Sequence, residues 1–442
     1  MRLSTDNLEI TEHFRSAYEL MEKTGQHVFL TGKAGTGKST LLQFFRENSV
    51  KNVVVLAPTG VAAVNVKGQT IHSFFRFRPD TTPETVENIR LRKLQRKLYQ
   101  QIDTIIIDEI SMVRADLLDC VDAFLRLHGK QKGKPFGGVQ MIFIGDLFQL
   151  PPVVTSHERD IFINVYKSPY FFDSKVFSQI EMAYLEFKKI YRQKEEGFIQ
   201  LLGAIRNNTA TVDHLKRLNG RYLKDFQPSE DDFYIYLTTT NAMANSINQE
   251  KLAQLKTRSY NFDGRVLGEF DEKNLPTHLS LGIKFHAQVM LLNNDPSGRW
   301  VNGSIGKIVG VVEDEEIISV ELTDGKRVEI APFTWEMFRF KYNEETEKLE
   351  SESVASFTQY PLKLAWAVTI HKAQGKTFDK VVIDIGNGAF SHGQTYVALS
   401  RCSSFEGLVL KKPIDKRHIL LDERVVNFMK NMKSSYELVG EN

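Results

Sequence analysis

Near the amino terminus, Gly32-Lys33-Ala34-Gly35-Thr36-Gly37-Lys38-Ser39 carries the spacing G-x-x-x-x-G-K-[ST]. It follows the apolar run HVFL and precedes a helix-like run from Thr40 to Arg46, the context this motif needs. Gly32, Gly35 and Gly37 let consecutive backbone N–H groups, through Thr36 and into the helix start at Thr40, curl around phosphate oxygens. The helix amino terminus adds positive potential, the Lys38 amine reaches the β and γ phosphates, and the Ser39 hydroxyl suits Mg²⁺. A chance glycine-rich turn would have to reproduce all these positions together with the strand context. The pattern says nucleoside-triphosphate site, and nothing narrower.

Two carboxylates, Asp108 and Glu109, close the apolar run Ile105-Ile106-Ile107. At a buried strand end beside a phosphate loop, Asp108 would hold Mg²⁺ through water and Glu109 would orient the attacking water, because phosphoryl transfer depends on positioning and charge stabilisation. A helix-capping acidic pair is the alternative. Gln149, after Gly145-Asp146, has a neutral amide suited to touching a γ-phosphate, or to an ordinary loop hydrogen bond. Arg192 and Arg401 lie far along the chain, where each is either an arginine finger supplied across a cleft or a surface ion-pair partner.

Such side chains need rigid strand ends to hold them. Short apolar runs recur through the first half: HVFL, NVVVLA, TIIID at Thr104–Asp108 and MIFIGD at Met141–Asp146, separated by helix-like stretches. That alternation predicts an α/β fold with parallel sheets, its functional residues at the carboxyl ends of the strands. The second half repeats the style in FYIYLTT, LAWAVT and KVVIDIG without a second phosphate loop, which places one nucleotide between two sheets. From 281 to 360 the texture turns to hairpin-like strands, with Thr323-Asp324-Gly325 as a turn, and predicts a small β-barrel inserted in the second domain. The expected domains are 1–180, then 181–280 with 361–442, and the insertion 281–360. Phe74–Pro83 is a second insertion candidate or a surface loop. Val86 to Leu98 has apolar positions at helical spacing, with Arg90, Arg92, Lys93, Arg96 and Lys97 on a solvated or a DNA-facing side.

Composition narrows the class. The 442 residues are 42% hydrophobic and 25% charged, within the globular range, and exceed what one core usually serves. Lys and Arg total 57 against 55 Asp and Glu, so no global positive field exists and any nucleic-acid groove must be built locally. Two distant cysteines, Cys120 and Cys402, fit a reducing compartment and offer no zinc-ligand spacing. No apolar run approaches the roughly 18 residues of a membrane span and no targeting segment stands out, so a cytoplasmic, nucleoid-associated protein is expected.

Taken in order, GKAGTGKS, LAPTGVAA with GQTIHSF, IIIDEISM, GDLFQLPPV, YRQ, LTTTNAMAN, AVTIHKAQGKTFD and YVALSR resemble the superfamily-one helicases. DEISMVRADLLDCVDAFLR with PFGGVQ resembles the signature of the Pif-type members. The resemblance implies two RecA-like P-loop domains, a small wedge insertion at about 74–83 in the first, and an SH3-like β insertion in the second. It implies ATP and Mg²⁺ between the core domains, with Lys38 and Ser39 on phosphate and metal, Asp108 and Glu109 in hydrolysis, Gln149 and Gly375 near the γ-phosphate, and Arg192 and Arg401 as fingers. Asn7 falls where such enzymes contact adenine. Thr59, Thr70, His72, Thr239, Asn241 and His371 fall in loops that face the DNA backbone, though a turn or cap hydrogen bond is open for each. Phe74, Phe75 and Phe77 are read either as base-stacking wedge residues or as buried core.

The implied activity is 5′-to-3′ translocation on single-stranded DNA with unwinding of duplexes, forks and structured DNA such as G-quadruplexes or RNA–DNA hybrids, in replication, repair or recombination. A monomer in solution that can pair on DNA is expected. Because the first motif begins near residue 3, the chain is expected to be a minimal helicase core. The rival expectations are a RecD-like motor subunit of a nuclease complex, a translocase without unwinding, and a nucleotide-switched binding module.

Overall fold

The computed structural model describes residues 11–437 except 79, 155–161, 163, 194, 230, 269–274, 344, 347, 387, 389 and 390. Strands β1 (His27–Gly32), β2 (Val53–Ala57), β3 (Gln69–Thr70), β4 (Thr104–Ile107), β5 (Gln140–Ile144) and β6 (Met182–Phe187) form one parallel sheet in the order β3-β2-β4-β5-β1-β6. Its central strands are apolar on both faces because both are covered. Val28 and Leu30 pack with Phe14, Met21, Leu41 and Phe45 of two helices, Glu12–Lys23 and Lys38–Asn48. Phe29 points to the opposite core, with Phe124 and Phe171. The registers Leu30↔Ile144 and Ile107↔Phe143 bring the carboxyl ends of β1, β4 and β5 side by side.

A second parallel sheet has the order β18-β7-β19-β20, from β7 (Ile235–Thr238), β18 (Ala367–Thr369), β19 (Val381–Asp384) and β20 (Leu408–Leu410). The helix Glu196–Arg206 covers it through Phe198, Leu201 and Ile205. These are the two RecA-like domains, in a mixed α/β fold. Among the described residues no helix is long and apolar enough to cross a membrane.

Between β7 and β18 lies antiparallel structure. β11 (Gln288–Leu291), β12 (Ile305–Val312), β13 (Ile317–Leu322), β14 (Arg327–Ile330) and β17 (Leu362–Leu364) form a five-stranded sheet in the order β14-β13-β12-β11-β17. Residues 323–325 turn β13 into β14, with Gly325 N donating to Leu322 O at 2.9 Å. A long hairpin of β15 (Phe333–Asn343) and β16 (Lys348–Gln359) leaves this sheet and reaches the first domain, where Phe340 N donates to Gln69 Oε1 and Leu349 N to Asn52 Oδ1.

Three expected boundaries move. The insertion begins before 281, because β8 (Ser259–Asp263) pairs with β10 (Ser280–Lys284), and β9 (Arg265–Gly268) pairs with β16. The first domain runs past 180, because β6 pairs with β1 along its whole length. Its core also takes back the helix Glu423–Glu437, assigned from sequence to the second domain: Val425 and Met429 are buried there and Phe428 stacks on Phe172 at 4.3 Å. The basic stretch 86–98 is not one helix. A short 3-10 turn, Thr85–Asn88, gives way to extended backbone at Ile89 and Arg92 before the helix Lys93–Gln101.

Candidate active site and nucleic-acid face

β1 delivers the phosphate loop. Gly35 sits at φ +78°, in the left-handed region that costs residues with a Cβ, and a Cβ there would stand 2.5 Å from Arg192 Cβ. The loop is thus closed from above by the segment leaving β6, whose Tyr191 N donates to Gly35 O at 2.8 Å. Lys38 opens its helix and folds back, its amine donating to Gly32 O at 2.8 Å and Lys33 O at 3.0 Å. Burial lowers its pKa, and Asp146, Glu109 and Asp108 oppose that.

β4 ends in the acid pair. Burial raises the Asp108 pKa, against a hydrogen bond from the Glu109 backbone and the charge of Lys38. Glu109 sits at φ +51°, and burial followed by the field of Asp108 pushes it up to about 7. Two carboxylates and one hydroxyl, Ser39, line one side of the site and form an oxygen donor set that suits a hard divalent cation.

A polar chain crosses from one domain to the other. Gln374 Nε2 donates to Glu109 Oε2 and to Gln149 Oε1, both at 3.2 Å. Gln149 Nε2 in turn donates to Asp146 Oδ2 at 3.3 Å, and Arg206 Nη2 pairs with Asp146 Oδ1 at 2.8 Å. Burial works against the Asp146 carboxylate, but Arg206 and Lys38 outweigh it and hold its pKa below the ordinary value.

On the second domain's side, Arg192 donates to Gly375 O at 3.1 Å and Ser400 O at 3.4 Å. Arg401 is wholly buried, donating to Val397 O at 2.9 Å, Lys376 O at 3.2 Å and Ser400 Oγ at 2.8 Å. Burial, then neighbouring Arg192, lowers the Arg401 pKa. Neither arginine pairs with a carboxylate among the described residues, so the surface ion-pair alternative does not describe them. The hydroxyl of Tyr396 accepts from Ala34 N at 3.3 Å and ties the domains together at the loop. Gly393, at φ +70°, begins that tyrosine's helix, and a Cβ there would meet Gln149 O at 2.4 Å. Between these groups lies a cavity of about 870 Å³, lined by the loop from Ala34 to Thr40, the acid pair, Gln149, Arg192, Gly375 and Arg401.

Sequence reasoning therefore named most of this wall. It missed Gln374, although that residue stands inside a quoted motif, and Tyr396, which lies in YVALSR. Arg206 carries no local signal. Thr11, His13 and Phe14 line the cavity mouth; Asn7 lies outside the described residues.

The proposed DNA contacts sit at the carboxyl ends of β2, β3, β7 and β18. Thr59 and Thr70 use their side-chain oxygens as helix caps, accepting from Ala62 N at 3.3 Å and Ser73 N at 3.1 Å, which leaves each hydroxyl proton free to donate outward. Asn241 is exposed in the first turn of its helix, and Thr239 is buried beside Met243. His72 and His371 are half-buried, and burial lowers both pKa values, which favours the neutral imidazole. Phe74 does not belong with them. Phe74, Phe75 and Phe77 are 4%, 0% and 7% exposed and pack with Tyr99 and Phe124, so the wedge reading gives way to core packing. Their rings fill the space between the sheet and the helix Ala115–His128.

The family description PIF1-like helicase matches residues 5–214. The ATP-dependent DNA helicase Pif1 of Bdellovibrio bacteriovorus is 32% identical over 435 residues, covering 96% of this chain and 93% of that protein. PIF1 of Homo sapiens is 33% identical over 94% of this chain, which spans only 62% of the human protein. Bacteroides sp Pif1 in complex with ADP-AlF4 superposes with a TM-score of 0.89 at 36% identity, covering 97% of this chain and 98% of that one. The unliganded form of that helicase gives 0.88 and an ssDNA-bound form 0.68, with the same coverage.

Proposed function

This chain belongs to the PIF1-like helicase family and is an ATP-dependent DNA helicase, and from that premise we propose that it moves 5′-to-3′ along single-stranded DNA, using Mg²⁺ with ATP, and unwinds the duplex it meets. One observation carries the mechanism: the phosphate loop, acid pair and Gln149 of the first domain face Arg192, Gly375 and Arg401 of the second across one cavity.

Lys38 exchanges its two carbonyl partners for the β and γ phosphates. Ser39 and Asp108 would hold Mg²⁺, which would supply charge neutralisation at the phosphate oxygens. Glu109 orients the attacking water, and its Oε2, already held by Gln374, accepts that water's proton. Arg192 and Arg401 complete the charge complement only when the domains close, so hydrolysis is coupled to domain movement. Gln374 gives that movement a wire, since one amide touches both the water-activating acid and Gln149.

The threonine, asparagine and histidine groups at the strand ends grip the DNA backbone without reading sequence. Bacteroides Pif1 has been solved with ssDNA, and two coordinating copies have been described at forked dsDNA. By that likeness the partners are single-stranded and forked DNA, bound by a protein that is monomeric in solution and pairs on DNA. The lower superposition on the ssDNA-bound relative than on the unliganded one supports a rearrangement when DNA binds. Structured DNA, including G-quadruplexes and RNA–DNA hybrids, completes the substrate range, at the nucleoid.

The test uses two partial duplexes, one with a 5′ and one with a 3′ single-stranded tail, with Lys38→Ala as control. ATP-dependent unwinding of the 5′-tailed substrate alone is the expected result. Preference for the 3′ tail overturns the direction, and hydrolysis without unwinding reduces the protein to a translocase or a motor subunit.

A further inference from the structure

Arg206 closes the helix Glu196–Arg206 of the second core domain and buries its guanidinium against the segment that leaves β5 in the first. It does not line the nucleotide cavity. Among the described residues its guanidinium hydrogen-bonds to Asp146 alone, its Nε is buried without a hydrogen-bond partner, and its flat face lies over Phe148. An arginine has five N–H donors, and one satisfied so sparsely inside a protein calls for an explanation other than stability.

Asp146 accepts at both oxygens. Oδ1 takes Arg206 Nη2 at 2.8 Å and Phe148 N at 3.2 Å, and Oδ2 takes Gln149 Nε2 at 3.3 Å. An ionised carboxylate has no proton to give, so it is the Nε2 end of Gln149 that faces it. That choice turns the Oε1 end toward the second domain, where it accepts from Gln374 Nε2 at 3.2 Å. The other proton of the same Nε2 goes to Glu109 Oε2, also at 3.2 Å. The backbone of Gln149 is held as well: a Cβ on Gly393 would stand 2.4 Å from its carbonyl oxygen, so the helix that starts at Gly393 packs directly on it. Each amide has a donor end and an acceptor end, and the fixed charge at the start of the series decides which end every later amide presents.

We propose that Arg206 is a positioning residue for ATP hydrolysis: by holding Asp146 as an acceptor it sets the direction of the series Asp146–Gln149–Gln374, and so keeps an N–H, rather than a carbonyl, on Glu109. It rests on the reading that Glu109 activates the attacking water. A Gln374 turned the other way would set its oxygen against the Glu109 carboxylate and favour the protonated acid, the form that takes no proton from water. The series passes between the core domains at Arg206–Asp146, at Gln149–Gln374 and at Gln374–Glu109, so parting the domains releases the acid and the charge that orients it together.

The experiment measures ATP hydrolysis in the presence of single-stranded DNA, and equilibrium ATP binding, for the wild type, the double variant Asp146→Asn/Arg206→Met, and Arg206→Lys. The double variant leaves no uncompensated buried charge, and it removes two opposing effects on Lys38 together. Turnover is expressed per ATP site counted in the titration, so a loss of folded protein does not pass for a loss of chemistry. An Asn at 146 can present either end of its amide, so kcat is expected to fall about ten- to a hundredfold with ATP affinity unchanged. Arg206→Lys keeps a positive charge against Asp146 and should recover most of that turnover. Wild-type kcat per site in the double variant, a loss shared equally between ATP affinity and kcat, or an Arg206→Lys as slow as the double variant overturns the proposal and leaves the helicase reading standing. A wild-type protein that does not hydrolyse ATP with single-stranded DNA present overturns that reading, and the proposal with it.

Discussion

Replacing Arg206 with Met should cost far more than the loss of one ion pair suggests. Arg206 and Asp146 are 5% and 0% exposed at the side chain, and their contact at 2.8 Å joins the helix of the second domain to the end of β5 in the first. Without the guanidinium, Asp146 keeps only Gln149 Nε2 at 3.3 Å and Phe148 N at 3.2 Å, with Lys38 at longer range. An uncompensated buried charge costs about 3–5 kcal/mol, a large share of a total stability of roughly 5–15 kcal/mol. The guanidinium also lies 3.9 Å over the Phe148 ring, an interaction of roughly 0.5–2 kcal/mol. Urea unfolding followed by fluorescence and by circular dichroism measures the cost, and separated transitions would show the domains parting before they unfold. Asp146→Asn combined with Arg206→Met should recover most of the loss, since both charges then leave together. Because the Asp146 pKa is depressed, the pair's contribution is complete at neutral pH and disappears as pH falls through the range below the ordinary 3.8. A cost under about 1 kcal/mol, the level of an exposed pair, would refute the reasoning.

Gly35→Ala should strain the loop by about 1–2 kcal/mol and push Arg192 from its place, so steady-state hydrolysis falls; unchanged hydrolysis would mean Arg192 does not act there. Phe75→Ala should lower stability by about 3–5 kcal/mol in a thermal melt, whereas a DNA wedge would lose unwinding at normal stability. With Glu109 pushed up to about 7, kcat/KM for ATP should rise as pH increases through about 7 and the carboxyl becomes a base. Glu109→Gln should bind ATP in an equilibrium titration but hardly hydrolyse it; a flat pH profile would remove Glu109 from the proton path.

The ATP half of the site was legible because its chemistry is local. A phosphate loop needs particular glycines, one lysine and a preceding strand within a few residues, and the apolar run Ile105-Ile106-Ile107 favours a buried strand end over a helix cap for the acid pair that follows it. What escaped depends on packing between distant segments. Arg206 looks like any helix-terminal arginine until Asp146 arrives from another domain. Phe74, Phe75 and Phe77 carry the same letters whether stacked on a base or packed against Phe124, and only the covering helix decides. The insertion boundary moved because 259–268 reads as weak, half-polar strand, and pairs only with segments much later in the chain. The signature stretch was recognised by likeness; its physical role appears in the structure, where Asp122 accepts from Phe136 N at 2.7 Å and Asp119 accepts from Lys175 N and Val176 N, both at 3.0 Å.

The return of the helix Glu423–Glu437 to the first domain means that the two lobes are joined by two crossings of the backbone, one after β6 and one before that helix. A single tether permits swivelling in any direction, whereas two tethers define an axle about which the lobes turn. Its first bearing lies against the phosphate loop, where Tyr191 N meets Gly35 O, so rotation by one lobe is felt at the nucleotide. The same topology sets an order of assembly: Phe172 receives its stacking partner Phe428 only after the whole second lobe has been synthesised. The first lobe is thus sealed last, by the segment that has already travelled through its neighbour.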